Sequence, residues 1–153
     1  RTIGYHYDAY KTPLFVEKRI NVNDHGYDTV YVVENRGEQV LETVIGLEYH
    51  VAPKINRYSK DDAIRYIIDV EHGVNEYYTG VSRRVVVKTS IYPDIILESN
   101  TDHEIWVAPI YSRARTEKGL LDVFQGIGVL FIDRVSLKPG DRFETLIKHY
   151  VNL

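Results

Sequence analysis

The sequence lacks cysteine and methionine altogether, although it has 153 residues. Without cysteine the chain can form no disulfide framework, no thiolate nucleophile and no cysteine-ligated metal site. Glutamine occurs only at positions 39 and 125, whereas Glu, Lys, Arg, Tyr, Val and Ile are frequent. Because thermolabile side chains are scarce and charges of both signs are abundant, the composition favours a protein from a thermophile.

The chain also lacks a strong excess of one charge and any long apolar run. Its net charge is −3 with 27% charged residues, so the basic excess of a nucleic-acid-binding surface is missing. The longest apolar run, Ile127–Ile132, is too short to cross a membrane and fits a buried strand. We therefore expect one globular domain that binds no nucleic acid and does not insert into a membrane.

Motifs for catalysis and cofactor binding are missing too. The chain contains no G-x-S-x-G, P-loop or G-x-G-x-x-G sequence, and no two histidines form a His-x-His or His-x3-His pair. Asp24-His25 and Asp102-His103 each precede a predicted strand, where Asp commonly bonds its own backbone. We expect no enzyme activity and no cofactor or metal; a pocket with two histidines beside a carboxylate would reopen the question.

What the sequence does contain is apolar–polar alternation with a period of two. The alternation is clearest in Leu41–Val51, which has one polar face and is typical of a half-buried strand. Residues 27–34 are less regular, with apolar residues on both faces, which indicates a more central strand. Since Asn35 and Gly37 between them tolerate positive φ, the sequence predicts a hairpin over residues 27–51.

Strand patterns recur through the rest of the chain. Pro109 within one of them indicates an edge or a bulge, residues 99–102 predict a turn, and Lys138-Pro139-Gly140-Asp141 fits a type II turn. Eight or nine strands with regularly spaced turns predict a mainly β fold, an antiparallel β-sandwich of immunoglobulin-like or jelly-roll type, as a single domain over residues 13–153. The further predicted strands are 14–22, 80–91, 94–98, 103–115, one within 120–137, and 142–151.

Residues 59–73 fit two kinds of structure. Ser59 and Asp62 resemble a helix capping box, and Ile64 and Ile68 have helical spacing. The same stretch also alternates in the manner of a strand, and its β-branched residues favour one. We predict a short helix over about 60–72.

Residues 1–12 read as a strand that precedes Pro13. Their alternating positions, Ile3, Tyr5, Tyr7 and Ala9, fit either an edge strand of the chain's own sheet or a donor strand that pairs with a neighbouring subunit. The chain begins with Arg1 rather than Met, so either a targeting peptide has been removed or the chain has been trimmed. We expect removal of a targeting peptide, and hence an extracellular or cell-surface location.

Tyrosine, with 13 residues, and the single tryptophan supply candidate contact residues. Tyr buries apolar area while it keeps a polar tip, which suits an interface, although sheets also favour it. The predicted subunit contacts are Ile3, Tyr5, Tyr7, Ala9, Tyr77, Tyr78 and Trp106.

Two segments carry a resemblance to a known family, VYVVENRGEQVLETVIGLEY and LKPGDRFETLIKHYV. Together they resemble the immunoglobulin-like sandwich domains of prokaryotic secreted proteins, among them archaeal cell-surface modules and extracellular filament subunits. The resemblance covers about a quarter of the chain and transfers no functional residue. It implies a non-catalytic extracellular subunit that assembles with copies of itself into a filament, pilus or surface layer by strand complementation. The alternative is a cell-surface accessory module that binds a glycan or another ligand.

Overall fold

A computed structural model describes residues 12–53, 64–89, 92–117 and 119–152, together with the backbone of residues 2–5. These residues contain ten strands and no helix, so none of them forms a helix that could span a membrane. The strands are β1 Thr2–Tyr5, β2 Pro13–Asn23, β3 Gly26–Asn35, β4 Leu41–Val51, β5 Arg65–Ile67, β6 Glu71–Gly73, β7 Tyr78–Lys88, β8 Asp94–Thr116, β9 Gly119–Leu137 and β10 Arg142–Asn152.

The strands form two antiparallel layers that share β7 and β8. The first layer has the order β1-β2-β3-β10-β8-β7-β5-β6, and the second has the order β7-β8-β9-β4. The 23-residue β8 pairs with β10 up to Ser99 and with β9 from Glu104 onwards, so it passes from one layer to the other between these residues. The prediction of a mainly β, antiparallel sandwich is confirmed.

The hydrophobic core lies between the two layers and is built from alternate residues of their strands. Ile127, Val129 and Phe131 of β9 are completely buried, which confirms the predicted buried strand. Burial of an aliphatic or aromatic side chain of this size contributes about 1.5–3 kcal/mol. The other strands contribute Leu47, Tyr49, Val51, Tyr66, Val85, Val87, Leu97, Ile105, Val107 and Ile147 to the same cluster.

The predicted hairpin over residues 27–51 is wrong, because β3 and β4 do not pair. β3 lies between β2 and β10, as expected for a central strand, whereas β4 pairs with β9 in the other layer. The connection crosses between the layers, and buried Asn35 holds it. Its Nδ2 donates to the carbonyl oxygens of Gln39 and Leu137, at 2.8 Å each. These long-range bonds, which the local turn pattern does not show, direct the two strands apart.

The predicted helix is also wrong over residues 64–72, while residues 60–63 lie outside the described part of the chain. β5 and β6 form a small edge hairpin instead, and β5 also pairs with β7. Tyr66 lies opposite Val87 and is completely buried. The strand alternation prevails over the helical spacing because β7 supplies both hydrogen-bond partners and a core for the apolar face.

Three local predictions, two of turns and one of a bulge or an edge, have different outcomes. Residues 99–102 form no turn, since β8 runs through them. The register of β8 and β9 shifts one residue beyond Pro109, between Ile110 and Tyr111, but the extra residue of this bulge is Gln125 of β9. The type II turn is confirmed: Gly140 has a φ of 83°, and the amide of Asp141 donates to the carbonyl oxygen of Lys138 at 2.9 Å.

The N-terminal strand pairs within its own chain. β1 lies antiparallel to β2, with Thr2 opposite Val16 and Tyr5 opposite Pro13. This is the geometry of an ordinary edge strand for residues 2–5. Tyr7 and Ala9 lie outside the described residues, so the donor-strand interpretation of residues 1–12 stays a prediction.

Candidate functional site

The outer surface of the second layer presents the only tryptophan of the chain. Its neighbours in β8, Ile105 and Val107, are 0% and 1% exposed and point into the core. Because successive side chains of a strand point to opposite faces, Trp106 points outwards, and it is 45% exposed. It lies opposite Thr79 of β7 on one side and Leu130 of β9 on the other. We call the outward surface around these three residues the Trp106 face.

The indole ring is held in place by a neighbour on its own strand. Its Nε1 donates to Oε1 of Glu104 at 2.8 Å. Glu104 precedes Trp106 by two residues and therefore projects from the same face. The bond satisfies the polar edge of the indole and restrains its rotation, so an ordered aromatic surface faces solvent.

Small residues make the Trp106 face smooth. A Cβ at Gly46 would lie 3.4 Å from Cδ1 of Leu130, and a Cβ at Gly128 would lie 3.3 Å from Cδ1 of Ile110. The two aliphatic side chains thus extend over glycines of the neighbouring strands. Val81, which is 68% exposed, continues the apolar surface at one border. Exposed apolar surfaces that are rimmed by polar residues are typical of interaction sites.

Of the predicted contact residues that the structure describes, Tyr77 and Trp106 lie near each other. Tyr77, 76% exposed, directly precedes β7, whose first residue, Tyr78, lies opposite Val107, the neighbour of Trp106 in β8. Tyr78 instead packs against the core with its ring 5.2 Å from that of His72, and burial raises the pKa of its phenol. Ile3 and Tyr5 belong to β1 at the edge of the first layer and take no part in this face.

A polar network that the sequence did not reveal lies where β8 crosses between the layers. His103, 2% exposed, has its Nε2 2.6 Å from Oγ of Ser99 and its Nδ1 2.7 Å from Oδ2 of Asp133. We call these three residues the His103 network. A serine, a histidine and a carboxylate in this order resemble the arrangement that activates the serine of many hydrolases.

Burial keeps the serine and the histidine of the His103 network out of contact with solvent. Ser99 is only 4% exposed, and its Oγ also donates to the carbonyl oxygen of Leu146 at 3.3 Å. The His103 ring packs edge-on against Phe131, with 5.5 Å between ring centroids. Three clefts on the described surface are lined by residues other than Ser99, His103 and Asp133. The network joins β8, β9 and β10, and its carboxylate is Asp133, which is 30 positions from His103 in the sequence.

A polar cleft of about 580 Å³ opens on the outer surface of the first layer. Tyr150 lies in it, and its hydroxyl donates to Oε2 of Glu98 at 2.7 Å. That hydrogen bond, with a smaller effect of burial, raises the pKa of Tyr150. Within the described residues, no group of three or more His, Asp and Glu side chains is arranged to hold a metal ion. The cleft is lined by Asn23, His25, Asp28, Glu98, Lys148, Tyr150, Val151 and Asn152.

No family model and no curated protein matches the chain. Among solved structures, a 4-α-glucanotransferase from Thermococcus litoralis is similar over 99% of this chain and 20% of its own, with 16% identity and a TM-score of 0.73. A galactose mutarotase-like protein from Lactobacillus casei is similar over 98% of this chain and 73% of its own, with 8% identity and a TM-score of 0.60. At these identities the similarity shows the fold alone. The chain spans a fifth of the length of the glucanotransferase.

Proposed function

We propose that the chain is a non-catalytic carbohydrate-binding module, a β-sandwich that holds a glycan on its Trp106 face. The observation that carries the proposal is the exposed indole of Trp106, which Glu104 holds in place at 2.8 Å. A pyranose ring has an apolar face of C–H groups and a rim of hydroxyls. An ordered indole matches the apolar face, and nearby carboxylates accept hydrogen bonds from the rim.

Four residues of the Trp106 face lie in one row across the strands, and the two end residues of this row are polar. The register aligns Thr79, Trp106, Leu130 and Glu48 across β7, β8, β9 and β4. Three strand spacings make this row about 14 Å long, which is the scale of a short oligosaccharide. Thr79 and Glu48 are exposed at its two ends, so each can bond a sugar hydroxyl without burying an unsatisfied group.

The proteins that share the fold support the same class of ligand. One is named a glucanotransferase and the other a galactose mutarotase-like protein, so the fold occurs in proteins whose names refer to carbohydrates. Since the first of them is about five times longer than the matched region, we propose that the module serves a larger carbohydrate-active assembly. An extracellular or cell-surface location remains part of the proposal.

The emission of the single tryptophan tests the proposal directly. Titration with maltohexaose and with cellohexaose should shift the Trp106 emission in a saturable way for one of the two glycans. Tyr77→Ala should weaken that binding several-fold. Tyr92→Ala, which removes an aromatic side chain that is 42% exposed outside the Trp106 face, is the matched control and should bind normally. Unchanged emission with both glycans at millimolar concentration would refute the proposal.

A second candidate, self-assembly into a filament, pilus or surface layer, is favoured by the open edge of β2. β1 covers β2 only over Pro13–Val16. Among the described residues, Lys18–Asn23 therefore have a strand partner on one side only, namely β3. Such an edge can accept a strand from another copy of the chain.

Electron microscopy and light scattering of the native chain test this second candidate. If copies add a strand at β2, the chain should polymerise, and deletion of residues 1–12 should leave a folded monomer. Ile20→Lys places a charge on the open edge and should also reduce assembly. Polymers that persist in the deletion variant would exclude strand donation by residues 1–12, and a monomeric native chain would exclude the candidate as a whole.

A further inference from the structure

The polar cleft of the first layer has unused hydrogen-bonding groups at regular spacing. Lys148 of β10 lies directly opposite Asp28 of β3 and directly opposite Glu98 of β8. Neighbouring strands lie about 4.8 Å apart, so the row places a cation between two carboxylates. Nevertheless, among the ion pairs of the described residues, none joins Lys148 to Asp28 or Glu98. The ammonium and the Asp28 carboxylate are thus available to a ligand.

Gly26 allows β3 to lie close to β10 beside the aromatic ring of this cleft. Gly26 lies directly opposite Tyr150. A Cβ at position 26 would collide with the carbonyl oxygen of His149, so the backbone contact requires glycine. The hydrogen bond from its hydroxyl to Glu98 restrains the Tyr150 ring within the cleft.

The charges around the cleft select the class of ligand. Asp28 and Glu98 bring two negative charges, Lys148 brings a positive charge between them, and Arg84 of β7 lies opposite Glu98 on its other side, so the charges of the row balance. A phosphate or other anion would meet two carboxylates, and a metal cation would meet the ammonium of Lys148. A neutral molecule with several hydroxyls can use every group, because carboxylates accept and ammonium and amide groups donate.

We propose that this cleft binds one neutral sugar residue, separately from the Trp106 face. Asp28 and Glu98 accept hydrogen bonds from its hydroxyls, Lys148 donates, and the Tyr150 ring packs against its C–H groups. The volume of about 580 Å³ is adequate for a small ligand of this kind. The ligand class rests on the proposed function, whereas the position and the residues rest on the cleft alone.

Backbone amide NMR spectra of the intact chain test the inference residue by residue. Titration with glucose, galactose and maltose up to 50 mM should shift the amides of Asp28, Lys148 and Tyr150 in a saturable way. Asp28→Asn should weaken this binding at least ten-fold. The NH2 group of asparagine is a donor and would face a sugar hydroxyl that also donates. Tyr150→Phe, which removes only the hydroxyl, should weaken it a few-fold and serves if the first variant does not fold. Lys138→Gln, at the distant exposed turn, is the matched control and should bind normally.

Trp106→Ala separates this inference from the proposed function. If the cleft amides still shift in that variant while the native Trp106 face binds its glycan, two sites exist and both proposals stand. If the Trp106 emission responds but the cleft amides never move, the cleft inference is overturned and the proposed function stands. Cleft shifts that Trp106→Ala abolishes would also overturn the separate site. Shifts with inorganic phosphate but with none of the three sugars would overturn the neutral-ligand assignment.

Discussion

Replacement of His103 by phenylalanine tests the structural role of the His103 network. The two rings have similar size, so the change leaves no large cavity and mainly removes two hydrogen bonds. The bond to the Asp133 carboxylate is worth about 1.5–3 kcal/mol and the bond to the Ser99 hydroxyl about 0.5–1.5 kcal/mol. The Asp133 side chain is 18% exposed, so water offsets part of the loss. We expect the free energy of unfolding to fall by about 2–4 kcal/mol.

Urea unfolding followed by circular dichroism measures this change. The midpoint should fall with an unchanged m-value, and the melting temperature should fall by about 5–15 °C for a domain of this size. His50→Phe is the matched control, because His50 is exposed in β4 and its replacement should change the free energy of unfolding by less than about 0.5 kcal/mol.

A double-mutant cycle shows whether the effect belongs to the network. His103→Phe and Asp133→Asn should be coupled by about 1–2 kcal/mol, since each removes the same hydrogen bond. If His103→Phe were as stable as His50→Phe, the network would not hold the crossing of β8, and the reasoning from burial would be refuted.

Four further predictions follow from individual residues. Ser99 should resist labelling by a fluorophosphonate in the native protein, because it is 4% exposed; rapid labelling would mean that the His103 network is accessible. Burial lowers the pKa of His149, so the unfolded chain takes up the proton first. Stability should therefore fall as the pH drops below about 6.5, and urea midpoints of His149→Phe at pH 7.5 and 5.5 should differ less than those of the native chain. Gly140→Ala should reduce the free energy of unfolding by about 1 kcal/mol, because φ is 83° at this position. Gly119→Ala at the β8–β9 turn should cause a similar loss, because φ is 117° there. Asn35→Asp should reduce it by about 2–4 kcal/mol in the same assay, since its Nδ2 donates two bonds to carbonyl oxygens that a carboxylate would repel; a loss under 1 kcal/mol would show that Asn35 does not hold the crossing.

The candidate site was predictable only in part. Trp106 stood out as the single tryptophan, and alternation with Ile105 and Val107 is enough to place it outwards. The residues that surround Trp106 were not predictable, because Leu130 and Gly46 reach the same face only through the pairing of β8 with β9 and of β9 with β4. Tyr77 and Tyr78 looked equivalent in the sequence, yet Tyr77, just before β7, is 76% exposed, whereas Tyr78 packs against the core.

The sequence by itself determined the local properties of the chain. Period-two alternation predicted strands, the apolar run Ile127–Ile132 predicted a buried strand, and Pro139-Gly140 predicted a type II turn. Each of these features depends on residues within a few positions of one another. Only the tertiary structure decided which strands pair. Residues 27–51 look like a hairpin, but burial of both apolar faces and the bonds of Asn35 to distant carbonyls assign β3 and β4 to different layers. The His103 network and the polar cleft follow from that choice, since residues far apart in the chain meet only when the two layers close.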